Sequence, residues 1–311
     1  MLFLTALGVV STMLLYALPG FLLVKTKLVK ADSISAFAKL LMYVSSPCLV
    51  FHSITKNEFN WDLTFQMLLA FAIILTLLLI GLFGFYLVFK KKRDDVRYRV
   101  YAIATTLANG AFMGVPVLEA LFPNHPQAVA FSAMYSLAMN ILGWSVASFI
   151  ISQDKKYVRP KKILLNPATI ALVIAIPFFA FNITVPELLN DMITLLARMS
   201  TPLCMLIMGM RLACASLKSV FLTPMHYLIV AIKQIAFPLV TFLVLLPLPI
   251  DPILKATIYI ILACPVASVV LNFSEMIGKG QQGAASLVLL GTSLSMLTIP
   301  LMSLLVPLFG I

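Results

Sequence analysis

The chain has 311 residues, of which 62% are hydrophobic and only 11% charged, and 22 basic residues outnumber 11 acidic ones. Because an ordinary soluble domain has about 25% charged residues, this composition excludes a soluble protein and predicts an all-α polytopic membrane protein. The net charge of +11 does not indicate a nucleic-acid partner, since the basic residues are spread through short loops.

Apolar stretches recur along the chain, each about 20 residues long and so able to cross a hydrocarbon core of about 30 Å. We predict ten transmembrane helices in a lipid bilayer. The first begins at Met1 without a basic leader, which indicates a retained helix and not a signal peptide. The predicted spans are 2–24, 34–54, 63–89, 99–122, 127–152, 163–182, 188–214, 226–247, 253–277 and 284–310.

Basic residues divide unevenly between alternate loops. One set of loops contains 17 of them and the other contains only Lys56 and Lys255. Since Lys and Arg accumulate on the cytoplasmic side of a membrane, the richer set is predicted to be cytoplasmic and both termini extracytoplasmic. That set comprises Lys25, Lys27, Lys30, Lys90, Lys91, Lys92, Arg93, Arg97, Arg99, Lys155, Lys156, Arg159, Lys161, Lys162, Arg211, Lys218 and Lys279.

The two halves of the chain repeat each other at an offset of 155 residues. The first half is 1–152 and the second is 163–311, with a basic linker at 153–162. Each half contains five predicted spans, so the second copy is inverted relative to the first. Such inverted repeats are typical of secondary transporters. The matched pairs are Ser45 with Ser200, Pro47 with Pro202, Gln127 with Gln282, Leu142 with Leu297 and Ser148 with Ser303.

Helix-breaking residues stand in the middle of the fourth and ninth spans. The fourth reads TTLANGAFMGVPVL, with Asn109, Gly110, Gly114 and Pro116, and the ninth reads ILACPVASVVLNF, with Pro265. The offset places Gly110 on Pro265, so both breaks occupy one position of the repeat. Interrupted backbone in a membrane needs shelter from protein or a water-filled cavity. We therefore predict that broken helices 4 and 9 cross at a binding site; the alternative is that Pro and Gly merely kink packed helices.

The free backbone groups of those breaks indicate the chemistry of the site. The second half of each broken helix begins with free N–H groups at the positive end of its dipole. Two such ends aimed at one small volume favour a carboxylate. Asn109 adds an amide at the same level, and Asn140 projects from the fifth span.

Prolines also follow hydroxyl residues in the second and seventh spans. Ser46 precedes Pro47, and Thr201 precedes Pro202. Each hydroxyl either satisfies a carbonyl group freed by its proline or faces the substrate cavity. The sequence leaves both alternatives open.

Charged and titratable residues inside spans are the remaining candidates, because they are costly there unless they are paired or hydrated. Lys233 in the eighth span is predicted to assist the anion or domain movement electrostatically; snorkelling to the interface is the alternative. Arg198 and Lys39 are further candidates for attracting an anion. Solvated positions near span ends are the simpler interpretation for Glu119, Glu275 and His52.

Several kinds of protein chemistry find no support in the sequence. Cys48, Cys204, Cys214 and Cys264 all fall in spans and form no CxxC, which argues against disulfides and metal sites. No HExxH motif or pair of intramembrane Asp residues indicates an enzyme, and no P-loop indicates ATP binding. We predict no cofactor.

The motifs of the breaks resemble those of the auxin efflux carrier family, which includes plant auxin carriers and bacterial malate and malonate permeases. The resemblance covers the whole chain. Its pieces are SSPCLVFHSI, NGAFMGVP, KQIAFP, CPVASVVLNF and GTSLSMLTIP.

This resemblance implies a fold similar to that of bile-acid symporters. It implies a scaffold domain from helices 1, 2, 6 and 7 and a transport domain from helices 3 to 5 and 8 to 10, with a homodimer through the scaffold as a further expectation. Plant carriers have a Pro where this chain has Ala108, and they have a long loop between the halves. The short linker here suggests the compact form of a prokaryotic plasma membrane. Residues implied to line the substrate site are Ser46, Val50, Asn109, Gly110, Asn140, Pro265, Val266, Ala267 and Ser268.

The predicted function is secondary transport of a small organic anion, a mono- or dicarboxylate, by alternating access. An anion channel or a uniporter on the same fold is the alternative. Sodium coupling is not favoured, because the crossing offers Asn109 and Ser268 but no carboxylate. The sequence leaves open whether transport is coupled to a proton.

Overall fold

The computed structural model describes all 311 residues, and the chain is helical with no β-strand. Eight helices are long and apolar enough to cross a membrane. Their ends agree with the predicted spans to within eight residues, and eight such helices make the chain a multi-pass membrane protein. These helices are α1 (Leu2–Lys25), α2 (Ala31–Thr55), α3 (Trp61–Val88), α6 (Gln127–Ser152), α7 (Lys155–Ala180), α8 (Glu187–Cys214), α9 (Pro224–Leu245) and α12 (Gln281–Ser303).

The fourth and ninth predicted spans are each divided into two shorter helices. The fourth consists of α4 (Val96–Ala104) and α5 (Gly110–Leu121), and the ninth consists of α10 (Pro252–Ala263) and α11 (Val269–Ile277). Neither pair forms one continuous helix. The breaks therefore lie at the residues that the sequence indicates.

Proline explains most of the smaller irregularities. Widened π-helical turns at Leu41–Ser45 and Gly110–Gly114 end two residues before Pro47 and Pro116, and α9 has the same arrangement before Pro238. Proline has no N–H and its ring displaces the carbonyl group four residues earlier, so the helix widens there. In α8 the helix is interrupted at Met199, three residues before Pro202.

At Gly20 and Gly209, the backbones of α1 and α8 approach each other so closely that no side chain would fit between them. A Cβ atom on Gly20 would lie 2.0 Å from the carbonyl oxygen of Leu206, and one on Gly209 would lie 1.8 Å from that of Ala17. Helix α2 packs on α7 and α8. Small residues permit such backbone contact between membrane helices.

The other helices pack around the two interrupted spans. Helix α3 packs on α6, and α9 packs on α10. Helix α1 also contacts α12, which joins the two groups. One hydrophobic core of 74 buried residues runs through both, so the breaks lie inside protein and not in lipid.

Candidate substrate site at the helix crossing

The two interrupted spans meet through their backbones. The N–H of Asn109 donates to the carbonyl oxygen of Pro265 at 2.7 Å, and the N–H of Ala267 donates to that of Leu107 at 3.0 Å. Ala108 and Val266 face each other in this short antiparallel pairing. Each break thus satisfies backbone groups of the other, which buried backbone requires.

A tyrosine from α6 completes the pairing. The fully buried hydroxyl of Tyr135 donates to the carbonyl oxygen of Ala108 at 2.7 Å and accepts from its N–H at 2.8 Å. The ring of Tyr135 also leaves no room for a side chain at Gly110. A Cβ atom on Gly110 would lie 2.8 Å from Tyr135 and 2.6 Å from Ile261.

Lys233 lies at the carbonyl end of α10. Its Nζ donates to the carbonyl oxygen of Leu262 at 2.7 Å, its side chain is fully buried, and the ring of Phe237 lies 5.5 Å from Nζ. A cation is favourable at a helix C-terminus. The side chain does not border the large cavity described below, and its ammonium is buried inside the protein and not at the surface. That Lys233 assists the anion or domain movement electrostatically stays a prediction.

The start of each second half-helix has free N–H groups. Gly110, Ala111 and Phe112 donate no backbone hydrogen bond, and neither do Ser268 and Val269. The amide nitrogen of Asn109 also has no partner, although only 5% of this residue is exposed. Buried donors without partners are costly. These groups mark a place where a ligand can supply acceptors.

A cavity of about 1380 Å³ ends at these groups. It reaches the side of the molecule that contains the linker residue Lys162, the first residue of α2, Ala31, and Ser216 just after α8. The loops at these positions belong to the basic set. Six of the predicted site residues line the cavity: Ser46, Asn109, Gly110, Asn140, Ala267 and Ser268.

The other three predicted site residues do not line it. Pro265 is buried and Val266 is fully buried, and their backbones pair with the segment between α4 and α5. Val50 borders a small neighbouring void together with Asn140 and Thr169. In this structure these three residues do not contact the cavity, and their part in substrate binding stays a prediction. The sequence placed the break correctly but did not reveal which of its residues point toward the cavity.

The two hydroxyl residues before prolines differ from each other. The hydroxyl of Thr201 donates to the carbonyl oxygen of Phe112 at 2.9 Å, which joins α8 to the start of α5. This bond is to another helix and not to a carbonyl freed by Pro202. Ser46 makes no side-chain hydrogen bond to α2 and faces the cavity.

Charged side chains surround the wider part of the cavity. Arg211 of α8 and Glu275 of α11 form an ion pair of 3.0 Å, and the Nζ of Lys162 lies 4.3 Å from the centre of the Trp144 ring. Lys39 lines the wall without an ion pair, and Asp32 is the other acidic residue. With Arg211 paired, the remaining charges favour an anion.

Amide groups line the same wall. Asn166 donates to the side-chain oxygen of Asn140 at 3.3 Å, and both face the cavity. Sequence reasoning missed Asn166, Trp144 and Tyr135. The dipeptide Asn166–Pro167 is a helix-start signal, and the Asn166 side chain does cap the segment Pro167–Ala180 within α7; no signal pointed to the others.

A large cavity that ends where two interrupted helices meet, in a protein of this apolarity, defines a multi-pass membrane transporter. The sequence profile described as membrane transport protein matches residues 6–303 of the chain. The chain belongs to this family, the auxin efflux carrier family, as its motifs predicted. It is a family of transporters and not of enzymes. A comparison with curated proteins finds no match.

Proposed function

We propose that this protein is a secondary transporter that moves a small organic anion, a mono- or dicarboxylate, by alternating access. The observation that carries the proposal is the unpartnered amide nitrogen of Asn109 beside the free N–H groups of Gly110 and Ala111 at the end of the cavity. All of these groups are donors. A carboxylate supplies acceptors to several of them at once.

The electrostatics of the cavity floor support the same substrate class. The starts of α5 and α11 each contribute roughly half a positive charge. No acidic side chain borders the floor, since Asp32 and Glu275 belong to the wider part and Glu275 is paired with Arg211. An anion is therefore preferred to a neutral or cationic solute where water is scarce.

The proposed topology has ten crossings in two inverted five-helix repeats, with both termini outside a prokaryotic plasma membrane. The uneven loop charges support this orientation. In it, the cavity opens toward the cytoplasm. The repeat provides the opposite state, because exchanging the conformations of the two halves would open the other side.

A carrier fits better than a channel on the same fold. Ala108 and Val266 are fully buried where the breaks meet, and Pro265 is buried beside them. The crossing thus closes one end of the cavity. A carrier needs such a closure in every state, whereas an open channel has none.

Counterflow in proteoliposomes tests this function. Radiolabelled malate, malonate, lactate, oxalate or indole acetate is supplied outside, with and without the unlabelled acid inside. We expect saturable uptake of at least one acid that internal acid accelerates. A conductance without counterflow would favour the channel, and no transport of any acid under any imposed gradient, a proton gradient included, would contradict the proposal.

The control is Asn109→Ala, reconstituted at equal protein. It should lose uptake while its thermal unfolding stays close to that of the parent chain. A variant that unfolds much earlier would instead make Asn109 a structural cap of the broken helix.

A further inference from the structure

The first half of α8 has one polar face that does not belong to the cavity. Residues Glu187–Arg198 form a helix whose polar side chains recur every three or four positions, which places them on one side. The side farthest from these residues is apolar and exposed, with Leu189 and Met192. The polar face comprises Glu187, Asn190, Asp191, Thr194 and Arg198, and Thr201 continues it beyond the interruption at Met199.

This polar face runs from the start of α8, at Glu187, to the crossing. Arg198 lies about 16 Å along the helix from Glu187 at roughly 1.5 Å per residue, which is near the middle of a membrane of about 30 Å. The next polar residue, Thr201, donates to the carbonyl oxygen of Phe112 at the start of α5. Arg198 is exposed and forms no ion pair. A guanidinium at that depth requires water or an anion.

Helix α2 contributes a second cation beside this face. The hydroxyl of Thr194 and the Nδ1 of His52 are 3.3 Å apart, which joins α8 to α2. Lys56 follows His52 by one helical turn and is exposed without an ion pair. Because α2 and α8 run antiparallel, Lys56 and Arg198 each lie about one turn from this contact, in opposite directions along the helices, and both charges act on His52.

The repeat relates this face to the wall of the cavity. The offset of 155 residues carries four residues of the cavity wall to four residues of similar chemistry on the other side. An acid matches an acid, a cation matches a cation, and hydrogen-bonding side chains match each other. The pairs are Asp32 with Glu187, Ser35 with Asn190, Ser46 with Thr201, and Arg211 with Lys56.

We propose that the polar face of α8, with Arg198 at its centre and Lys56 beside it, lines a second vestibule for an anion on the side opposite the cavity. The crossing separates the two in this structure, and the vestibule is the release or uptake site of the alternate state. That the vestibule binds an organic anion rests on the proposed function. That water reaches the vestibule is independent of the proposed function.

Thiol labelling tests the vestibule without any substrate. Single cysteines replace Asp191, Thr194 or Arg198 in a chain whose Cys48, Cys204, Cys214 and Cys264 are changed to Ser or Ala. A membrane-impermeant anionic thiosulfonate is applied from outside to intact cells. Because a thiol ionises more readily where water reaches it, we expect labelling on the order of tenfold faster than at the controls Leu189→Cys and Met192→Cys.

The sidedness control is a separate variant that keeps only Cys214, which is exposed at the cavity and should react only from the cytoplasmic side. If the cysteine-free chain fails to accumulate, a background that keeps the buried Cys204 and Cys264 serves instead. Equal rates on the polar and apolar faces would overturn the proposal. So would spontaneous disulfide-linked dimers of Arg198→Cys that exclude the reagent, because they would assign this face to contact between copies.

The anion preference has its own measurement. Thr194→Cys should react faster with the anionic reagent than with a cationic one of the same size, and Arg198→Gln should remove that preference while Arg198→Lys keeps it. An unchanged preference in Arg198→Gln would overturn the role of this cation. Labelling of Cys214 and of Thr194→Cys is also measured with carboxylates present. If no carboxylate slows either reaction, the proposed function is contradicted, while the vestibule is still shown to contain water.

Discussion

The N–H of Asn109 donates to the carbonyl oxygen of Pro265 at 2.7 Å, and these two residues come from opposite halves of the chain. The bond occupies the backbone of Asn109 and leaves the nitrogen of its side-chain amide without a partner. In the proposed site, the backbone of Asn109 thus stabilises the crossing and its side chain is left to bind the anion. Substitutions at the other contacts of the crossing can therefore test the stability of the crossing separately from anion binding.

Tyr135 is predicted to hold the crossing together. Tyr135→Phe removes both hydrogen bonds to Ala108 and leaves two buried backbone groups without partners, which costs about 1–3 kcal/mol. We expect earlier thermal unfolding and reduced transport. The matched control is Tyr259→Phe, which removes a buried bond to Met302 away from the cavity and should lower stability but spare transport per folded molecule. Equal loss of transport in both variants would contradict this role.

Gly110 and Gly114 form a second matched pair. Gly110→Ala places a methyl group 2.6 Å from Ile261, whereas the nearest atom to a Cβ on Gly114 is the Cys264 sulfur at 3.5 Å. Overpacking of this kind costs about 1–3 kcal/mol. We expect Gly110→Ala to lose transport and Gly114→Ala to retain it, measured as counterflow at equal protein. The reverse order would show that space at the crossing is not the constraint.

Lys233 is predicted to act through the carbonyl end of α10. Lys233→Met leaves the buried oxygen of Leu262 without its donor, so transport should fall strongly, with partial activity in Lys233→Arg. Lys255 is the control, because it also donates to a carbonyl group, that of Leu246 at 3.2 Å. Lys255→Met should transport normally. Full transport by Lys233→Met would refute the assignment.

The contact between α1 and α8 is predicted to be structural. Gly209→Ala would place a methyl group 1.8 Å from the backbone oxygen of Ala17, so the helices must separate. We expect low membrane abundance and early thermal unfolding. Gly8→Ala, where nothing lies within 4 Å, should match the parent. A stable Gly209→Ala variant would mean that this contact is adaptable.

The sequence was sufficient for the parts of the fold that depend on local chemistry. Apolar length predicts the helices, and Asn109, Gly110 and Pro265 mark the breaks because few residues are compatible with interrupted backbone. Partners across the fold were not predictable. The carbonyl group that Lys233 contacts lies 29 residues away, and the one that Thr201 contacts lies 89 away. Such pairs depend on how helices rotate against each other, which apolar patterns surrounded by lipid do not specify.

Direct binding to the purified protein tests the central claim, that the crossing binds a carboxylate. Calorimetry would compare the acid most active in counterflow with its neutral amide. We predict that the acid binds, that binding weakens as pH falls through the acid's own pKa near about 4, and that Asn109→Ala weakens it on the order of tenfold. The amide should neither bind nor compete. Equal binding of the amide, or undiminished binding of the acid to Asn109→Ala, would contradict the account.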